Sequence, residues 1–232
     1  MSKVIVVEGV GINDTSLCGP HYVWDKDKQD SVPTPEYKMW YDMIRRCYSS
    51  KLKSSVNSLH KSKCCEAWLQ RSEFQKWYFD QHCYLDNQGN KLHLDKDILS
   101  PVGESLYSPE TCCLVPQYLN ASVSKDLRSK VTRDSGLPLW VSYREKDLDM
   151  VNEYSRPYRA KVSFMHKPKR FGSYSNPLDA HRAGQMGKIE SLEQIILQYR
   201  KEECYRIDVE FALQQIIDRI LDDHLNNRIT PH

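Results

Sequence analysis

The stretch RPYRAKVSF, residues 156–164, places Tyr158, Ala160, Val162 and Phe164 in alternation with Arg159, Lys161 and Ser163. Period-two alternation of this kind is the signature of a strand with one apolar and one polar face. LPLWVSY (137–143) and KRFGSYS (169–175) read as strands on either side, with a turn at Lys167-Pro168. NPLDAHRAGQMGKIESLEQIILQY (176–199) then opens with Asn176 as N-cap and Pro177 at the first helical position, where a missing N–H costs nothing. Three strands followed by one long helix constrain this part of the chain to a small sheet with a helix laid on its apolar face. Leu178, Ala180 and Ala183 are the expected contacts of that helix. A final amphipathic helix is expected over about 206–224, with Val209, Leu213, Ile216, Ile217 and Ile220 on one stripe.

Earlier in the chain, KVIVVEGV reads as a strand and the Pro33-x-Pro35 pair as a boundary. Tyr37, Trp40, Tyr41, Ile44 and Tyr48 fall at helical spacing, with Arg45 and Arg46 beside the stripe. Trp68, Phe74, Trp77 and Tyr78 indicate a second helix, for which Ser72 is the expected cap. KLHLDKDIL (91–99) is a strand, and Ser108-Pro109-Glu110 has the form of a helix start. Residues 121–136 are polar and basic and read as a linker.

Net charge is +2, but the charge is unevenly spread. Residues 45–63 and 156–170 each carry six Lys or Arg and no acid, whereas 189–223 carry nine acids against four Lys or Arg. Two acid-free runs suit an anionic partner. No apolar run approaches the ~18 residues of a membrane span, so the expectation is a cytoplasmic protein without membrane association. The eight cysteines contain no C-x-x-C pair, and Cys64-Cys65 and Cys112-Cys113 are adjacent. Buried free thiols are therefore expected rather than structural zinc.

The triplet Asp95-Lys96-Asp97 at a strand end is the most pointed chemical feature. Asp95 offers a hard oxygen ligand suited to Mg²⁺ or Mn²⁺. His93 and Asp97 share its strand face by parity, so His93 is a candidate base or ligand. A phosphodiesterase that uses one metal needs such ligands beside a group that activates water.

GVGIND (9–14), YKMWYDMIRRCYS (37–49), EAWLQRSEFQKW (66–77), LDKDIL (94–99), YSPETCCLVP (107–116) with Asn120, and RPYRAKV through GSYSNPLDAHRAGQMGKIE together resemble bacteriophage HNH or homing endonuclease-like proteins that carry a C-terminal AP2-type DNA-binding domain. The resemblance implies an α+β chain. An extension (1–35) would precede an HNH-like ββα-metal domain (36–122). A linker (123–136) would lead to an AP2-like three-stranded sheet on a helix (137–190), and acidic amphipathic helices (191–232) would follow. Position by position, it implies Asp95 as metal ligand, with Asp97 beside it, Lys96 where such enzymes place a catalytic His, and Thr111 as the ligand on the helix. Lys, with a reference pKa of ~10.4, is a poor base at neutral pH, so a contact to DNA phosphate is the reading that suits Lys96 better.

The resemblance further implies double-stranded DNA as partner, a phage-encoded protein in a bacterial cytoplasm, and Arg159, Lys161, Lys167, Lys169 and Arg170 facing DNA, with Arg45 and Arg46 as further contacts. Three readings stay open. One is a DNA-binding protein with cleavage weak or lost. Another is an active Mg²⁺-dependent nicking or homing endonuclease. The third is an inhibitor that binds a host protein. The C-terminal helices could also pair two copies.

Overall fold

The computed structural model describes residues 5–50, 62–101, 104–124, 136–145, 155–164 and 167–231. The basic residues Lys51, Lys53 and Lys61, and residues 125–135 of the expected linker, lie outside them. The described chain is mixed α+β, with small sheets and six α-helices.

Two compact units divide it, and the chain passes between them more than once. Unit 1 comprises Met1–Tyr84 and Leu94–Leu114; unit 2 comprises Leu85–His93 and Val115–His232. These limits differ from the boundaries drawn on the sequence: 85–93 and 115–122, expected in the HNH-like domain, fall in unit 2, and 5–35 fall in unit 1.

Unit 1 begins with two hairpins, β1 (Ile5–Val7) with β2 (Gly11–Asn13), and β3 (Tyr22–Asp25) with β4 (Asp30–Pro33), separated by the short α1 (Thr15–Cys18). Helix α2 (Pro35–Tyr48) starts at a proline and buries Tyr37, Trp40, Met43, Ile44 and Cys47. The expected stripe is thus shifted: Tyr41 and Tyr48 are only half-buried, and Met43 and Cys47 fill the core. A 3-10 turn (Ala67–Leu69) leads to α3 (Arg71–Phe79). Trp40 Nε1 donates to Trp68 O at 2.8 Å, which fixes the indole where α2 meets the turn. Gly11 lies against Trp40 and Ile44, where an added Cβ would sit 3.1 Å from each.

The buried Arg71 ties the N-terminal loops to this core. Its guanidinium donates to Asn13 Oδ1, to the carbonyls of Gly19 and Pro20, and to Glu36 Oε1, at 3.1–3.3 Å. Ser72 is not the cap of α3. Gln70 holds that position, and the Ser72 N–H and hydroxyl both donate to the Asp14 carboxylate, so the acid that caps this turn comes from a distant part of the chain.

Strand β5 (Lys63–Cys64) pairs in parallel with β7 (Leu106–Tyr107). Strand β6 (His93–Asp95) pairs with β8 (Cys113–Val115), and helix α4 (Gln117–Ser124) follows. The helix expected at Ser108 is absent. Residues 108–111 form a turn closed by the hydroxyls of Ser108 and Thr111, and the helix starts only after Pro116.

In unit 2, β9 (Val141–Tyr143), β10 (Tyr158–Phe164) and β11 (Lys167–Tyr174) form an antiparallel sheet in the order β11-β10-β9. Helix α5 (Pro177–Tyr199) packs on it, with Asn176 Oδ1 accepting from Asp179 N at 2.9 Å as the cap. Leu178 does not contribute to this contact; it is exposed, and Ala183 is half-buried. Ala180 is buried, and the close approach is made at Gly184 and Gly187, with Ser191 Oγ donating to Ser163 O. A Cβ at Gly184 would lie 2.7 Å from Trp140 Cβ, and one at Gly187 would lie 2.6 Å from Phe171, so only glycine permits this approach.

Helix α6 (Ile207–Leu225) buries Val209, Leu213, Ile217 and Ile220, and α5 is its main packing partner. The tail returns to α5: Thr230 N donates to His181 Nε2 at 3.1 Å, and Gln185 Nε2 donates to Arg228 O and Thr230 Oγ1. Asn87, from the early segment of unit 2, donates to Lys201 O and accepts from Glu203 N, clamping the turn between α5 and α6.

Candidate nucleic-acid interface

Strand register decides which cations share a face. Arg159 pairs with Ser142 and Ser173, Lys161 with Arg170, and Ser163 with Pro168. Paired residues on adjacent strands point to the same side of a sheet. Ser142, Arg159, Lys161, Pro168 and Arg170 accordingly line one open groove of about 210 Å³. Lys161 and Arg170 are exposed, and Arg159 is half-buried. No acid lines the groove. Three cationic side chains within one concave face raise the local positive potential and favour an extended anion over a point charge. Arg forks can grip phosphate or read a base edge.

The opposite face carries the apolar residues and, unexpectedly, two of the cations proposed from sequence. Lys167 pairs with Phe164 and Lys169 with Val162, which puts both on the helix side. Lys169 Nζ sits 4.6 Å from the Phe164 ring centre and 4.9 Å from that of Phe171, and bonds Glu190 of α5 at 2.7 Å. Lys169 is therefore engaged within its own unit, away from the groove. The expected turn at Lys167-Pro168 is likewise corrected: both residues already belong to β11. A β-bulge separates the two halves of the ladder. Ala160 faces both Phe171 and Gly172, and Gly172 takes a φ of +117° that a side chain would resist.

On α2 of unit 1, Arg45 Nε lies 3.8 Å from Glu8 Oε1, and its guanidinium lies over the Tyr41 ring at 5.7 Å. Arg46 is exposed, and Nη1 donates to Tyr107 Oη at 3.4 Å. Neither belongs to a described cationic groove, although each presents charge at the surface.

The Asp-Lys-Asp triplet is organised inward. Asp95 is buried, and its Oδ1 accepts from the backbone N–H groups of Asp97 and Ile98, both at 2.8 Å. It closes the turn that ends β6. Burial pushes its carboxyl above the usual range, opposed by the Ile98 N–H bond and reinforced by the Asp97 charge. Lys96 is buried, pairs with Asp97 Oδ1, and lies 5.6 Å from the centre of the Tyr107 ring. It is not positioned as a surface phosphate contact. His93 is exposed while Asp95, two residues on, is buried, so the shared strand face expected from parity does not give them a shared environment.

The Thr111 side chain is engaged in its own turn. Its hydroxyl donates to Leu106 O at 2.6 Å and holds the Ser108 turn, and it lies before β8 rather than on a helix. The proposed cation donors are thus committed: Asp95 Oδ1 to backbone amides, Asp97 to an ammonium, Thr111 to a carbonyl. Among the described residues, no group of three His, Cys, Asp or Glu is placed to hold a divalent ion. Cys112, beside this turn, is buried, and burial raises its thiol to about 12, with Asp95 adding to the effect. It remains a protonated thiol at neutral pH.

Sequence reasoning had no signal for the groove's Ser142 and Pro168, whose places depend on strand register. Scans of protein-family models, curated proteins and solved structures gave no match to this chain. Any functional reading therefore rests on its own residues. Among the described residues, no helix is long and apolar enough to cross a membrane.

Proposed function

We propose that this chain is a sequence-preferring DNA-binding protein of the phage HNH homing-endonuclease type, with an AP2-like sheet as its reading surface and with cleavage weak or lost. The observation that carries the reading is the acid-free groove of Arg159, Lys161 and Arg170 on the sheet face opposite α5. A twisted antiparallel sheet can enter the major groove, with strand-borne Arg and Lys reaching phosphates and base edges. The chain order β6, β8, α4 is compatible with a ββα scaffold. The commitment of Asp95, Asp97 and Thr111 to internal partners supports the loss of metal-dependent cleavage.

The test is a gel shift on duplex DNA across a salt series, run beside a cleavage assay on supercoiled plasmid with Mg²⁺ or Mn²⁺. The proposal expects salt-sensitive binding that Arg159→Ala and Lys161→Ala weaken, without nicks. Discrete nicks that disappear in Asp95→Ala would make the protein an active endonuclease instead. Neither binding nor cleavage would overturn the DNA reading and direct attention to a host protein partner.

A further inference from the structure

Helix α6 carries a second, exposed apolar stripe apart from the one it buries. Ile207 is 70% exposed, Phe211 64%, Leu221 38% and Leu225 69%, and Gln214 and Asp218 complete the row. The successive spacings along these six positions are four, three, four, three and four residues, the a/d pattern of a coiled-coil seam. Over 19 residues the helix is about 28 Å long, so this row runs its full length.

The row also has an internal symmetry. Reflection about residue 216 exchanges Ile207 with Leu225, Phe211 with Leu221, and Gln214 with Asp218. An antiparallel pair of identical helices forms its layers from such exchanged positions. In that arrangement both ends are apolar, and the Gln214–Asp218 pair, which within one copy already joins Gln214 Nε2 to Asp218 Oδ1 at 3.0 Å, faces the same pair of the second copy with amide opposite carboxylate. A parallel pair would instead set Asp218 against Asp218. The acids that flank the seam carry partners of their own: Glu210 is held by Arg200 at 2.5 Å, and Asp222 by Arg228. Self-repulsion along an acidic helix is thereby reduced where two copies would meet.

We infer that α6 is a self-association surface on which a second copy of this chain docks antiparallel through Ile207, Phe211, Leu221 and Leu225, with Gln214 and Asp218 setting the register. A contact of one helix per copy is smaller than a standard protein interface, so the dimer is a weak one that forms and dissociates with concentration. The inference is independent of the DNA-binding reading.

The test is sedimentation of the full-length protein, without DNA, from about 1 to 500 μM, a range that brackets weak association. The mass is expected to rise from 27.2 kDa towards twice that value. Phe211→Glu should raise the dissociation constant at least about tenfold, with far-UV circular dichroism confirming that the helices persist. Gln214→Lys decides the orientation without touching an apolar residue. In the antiparallel pair each new lysine meets Asp218 of the second copy and association tightens; in a parallel pair Lys meets Lys and association weakens. A mass fixed at 27.2 kDa over the whole range overturns the proposal, as does association that Phe211→Glu leaves unchanged in a folded protein. Weakening by Gln214→Lys overturns the antiparallel register. Should Phe211→Glu unfold, the concentration series and Gln214→Lys still decide.

Discussion

The groove of unit 2 and the Asp-Lys-Asp turn of unit 1 both concentrate charge, yet they use it in opposite ways. In the groove, Arg159, Lys161 and Arg170 line an open concave face without an acid. In the turn, Lys96 is buried against Asp97 and Asp95 is buried against two backbone amides. Charge that closes on itself shapes the chain; charge held apart from its counter-ions is available to a partner. A charged motif in a sequence does not reveal which of these it is, because the difference lies in strand register and burial.

The sharpest way to break the comparison is to empty the groove. Arg159→Ala, Lys161→Ala and Arg170→Ala together should lower DNA affinity by about 10²-fold or more near 0.15 M salt, and flatten the slope of log K against log[salt] by about 2–3. Fluorescence anisotropy over a salt series measures both. Retained affinity would place the DNA-binding surface elsewhere.

Lys96→Met should do the reverse. With its ammonium gone, the partly buried Asp97 carboxylate loses this ion pair, at a cost of about 1–3 kcal/mol in denaturant unfolding. DNA affinity should stay within about twofold. An affinity loss with unchanged stability would return Lys96 to the binding surface.

Asp95→Asn sharpens the same point through pH. Its carboxyl titrates above its ordinary 3.8 because of burial, so the native state holds the proton more tightly than the unfolded chain. Stability should fall as pH rises from about that value through the raised native one. The Asn variant keeps an acceptor for the Asp97 and Ile98 amides and should lose this slope. Chemical denaturation over a pH series rising from the ordinary carboxyl value reads the difference. A variant that kept the slope would mean that another group titrates there.

The smallest effect is expected of Lys169→Ala. The side chain and its partner Glu190 are both well exposed, and surface pairs of this kind contribute about 0.5 kcal/mol or less. Thermal unfolding should scarcely move, and DNA affinity should change less than about twofold. A large loss would show that Lys169 releases Glu190 to reach DNA.

Local signals in the sequence hold where the structure they report is local. Asn176-Pro177 starts α5 through a cap three residues long, and the alternation of β10 puts Ala160 and Val162 into the core. The sequence misled where a distant partner decides. Ser108-Pro109-Glu110 has helix-start chemistry, but Thr111 turns its hydroxyl back to Leu106 and closes a turn instead. Ser72 has the chemistry of a cap, yet it donates to Asp14, 58 residues away. Lys169 and Arg170 are neighbours in sequence and occupy opposite faces, and the bulge at Gly172, invisible to alternation on a single strand, breaks the simple alternation further along β11. In the candidate site, Arg159 and Lys161 could be named from sequence because they sit on the alternating strand itself. The inward fate of Asp95 and Lys96 could not, since it depends on how β6 ends against packed neighbours.

The interleaving of the two units bears on the order in which a nascent chain can fold. Residues 85–93 belong to unit 2, yet they are synthesised before 94–114, which complete unit 1. Asn87 must then wait for its partner Lys201, 114 residues later. Since domains generally fold as units during synthesis, unit 1 is complete first, while a stretch from its middle remains committed to structure not yet made. The ribosome therefore delivers unit 2 in two instalments, and the turn between α5 and α6 is where the second secures the first.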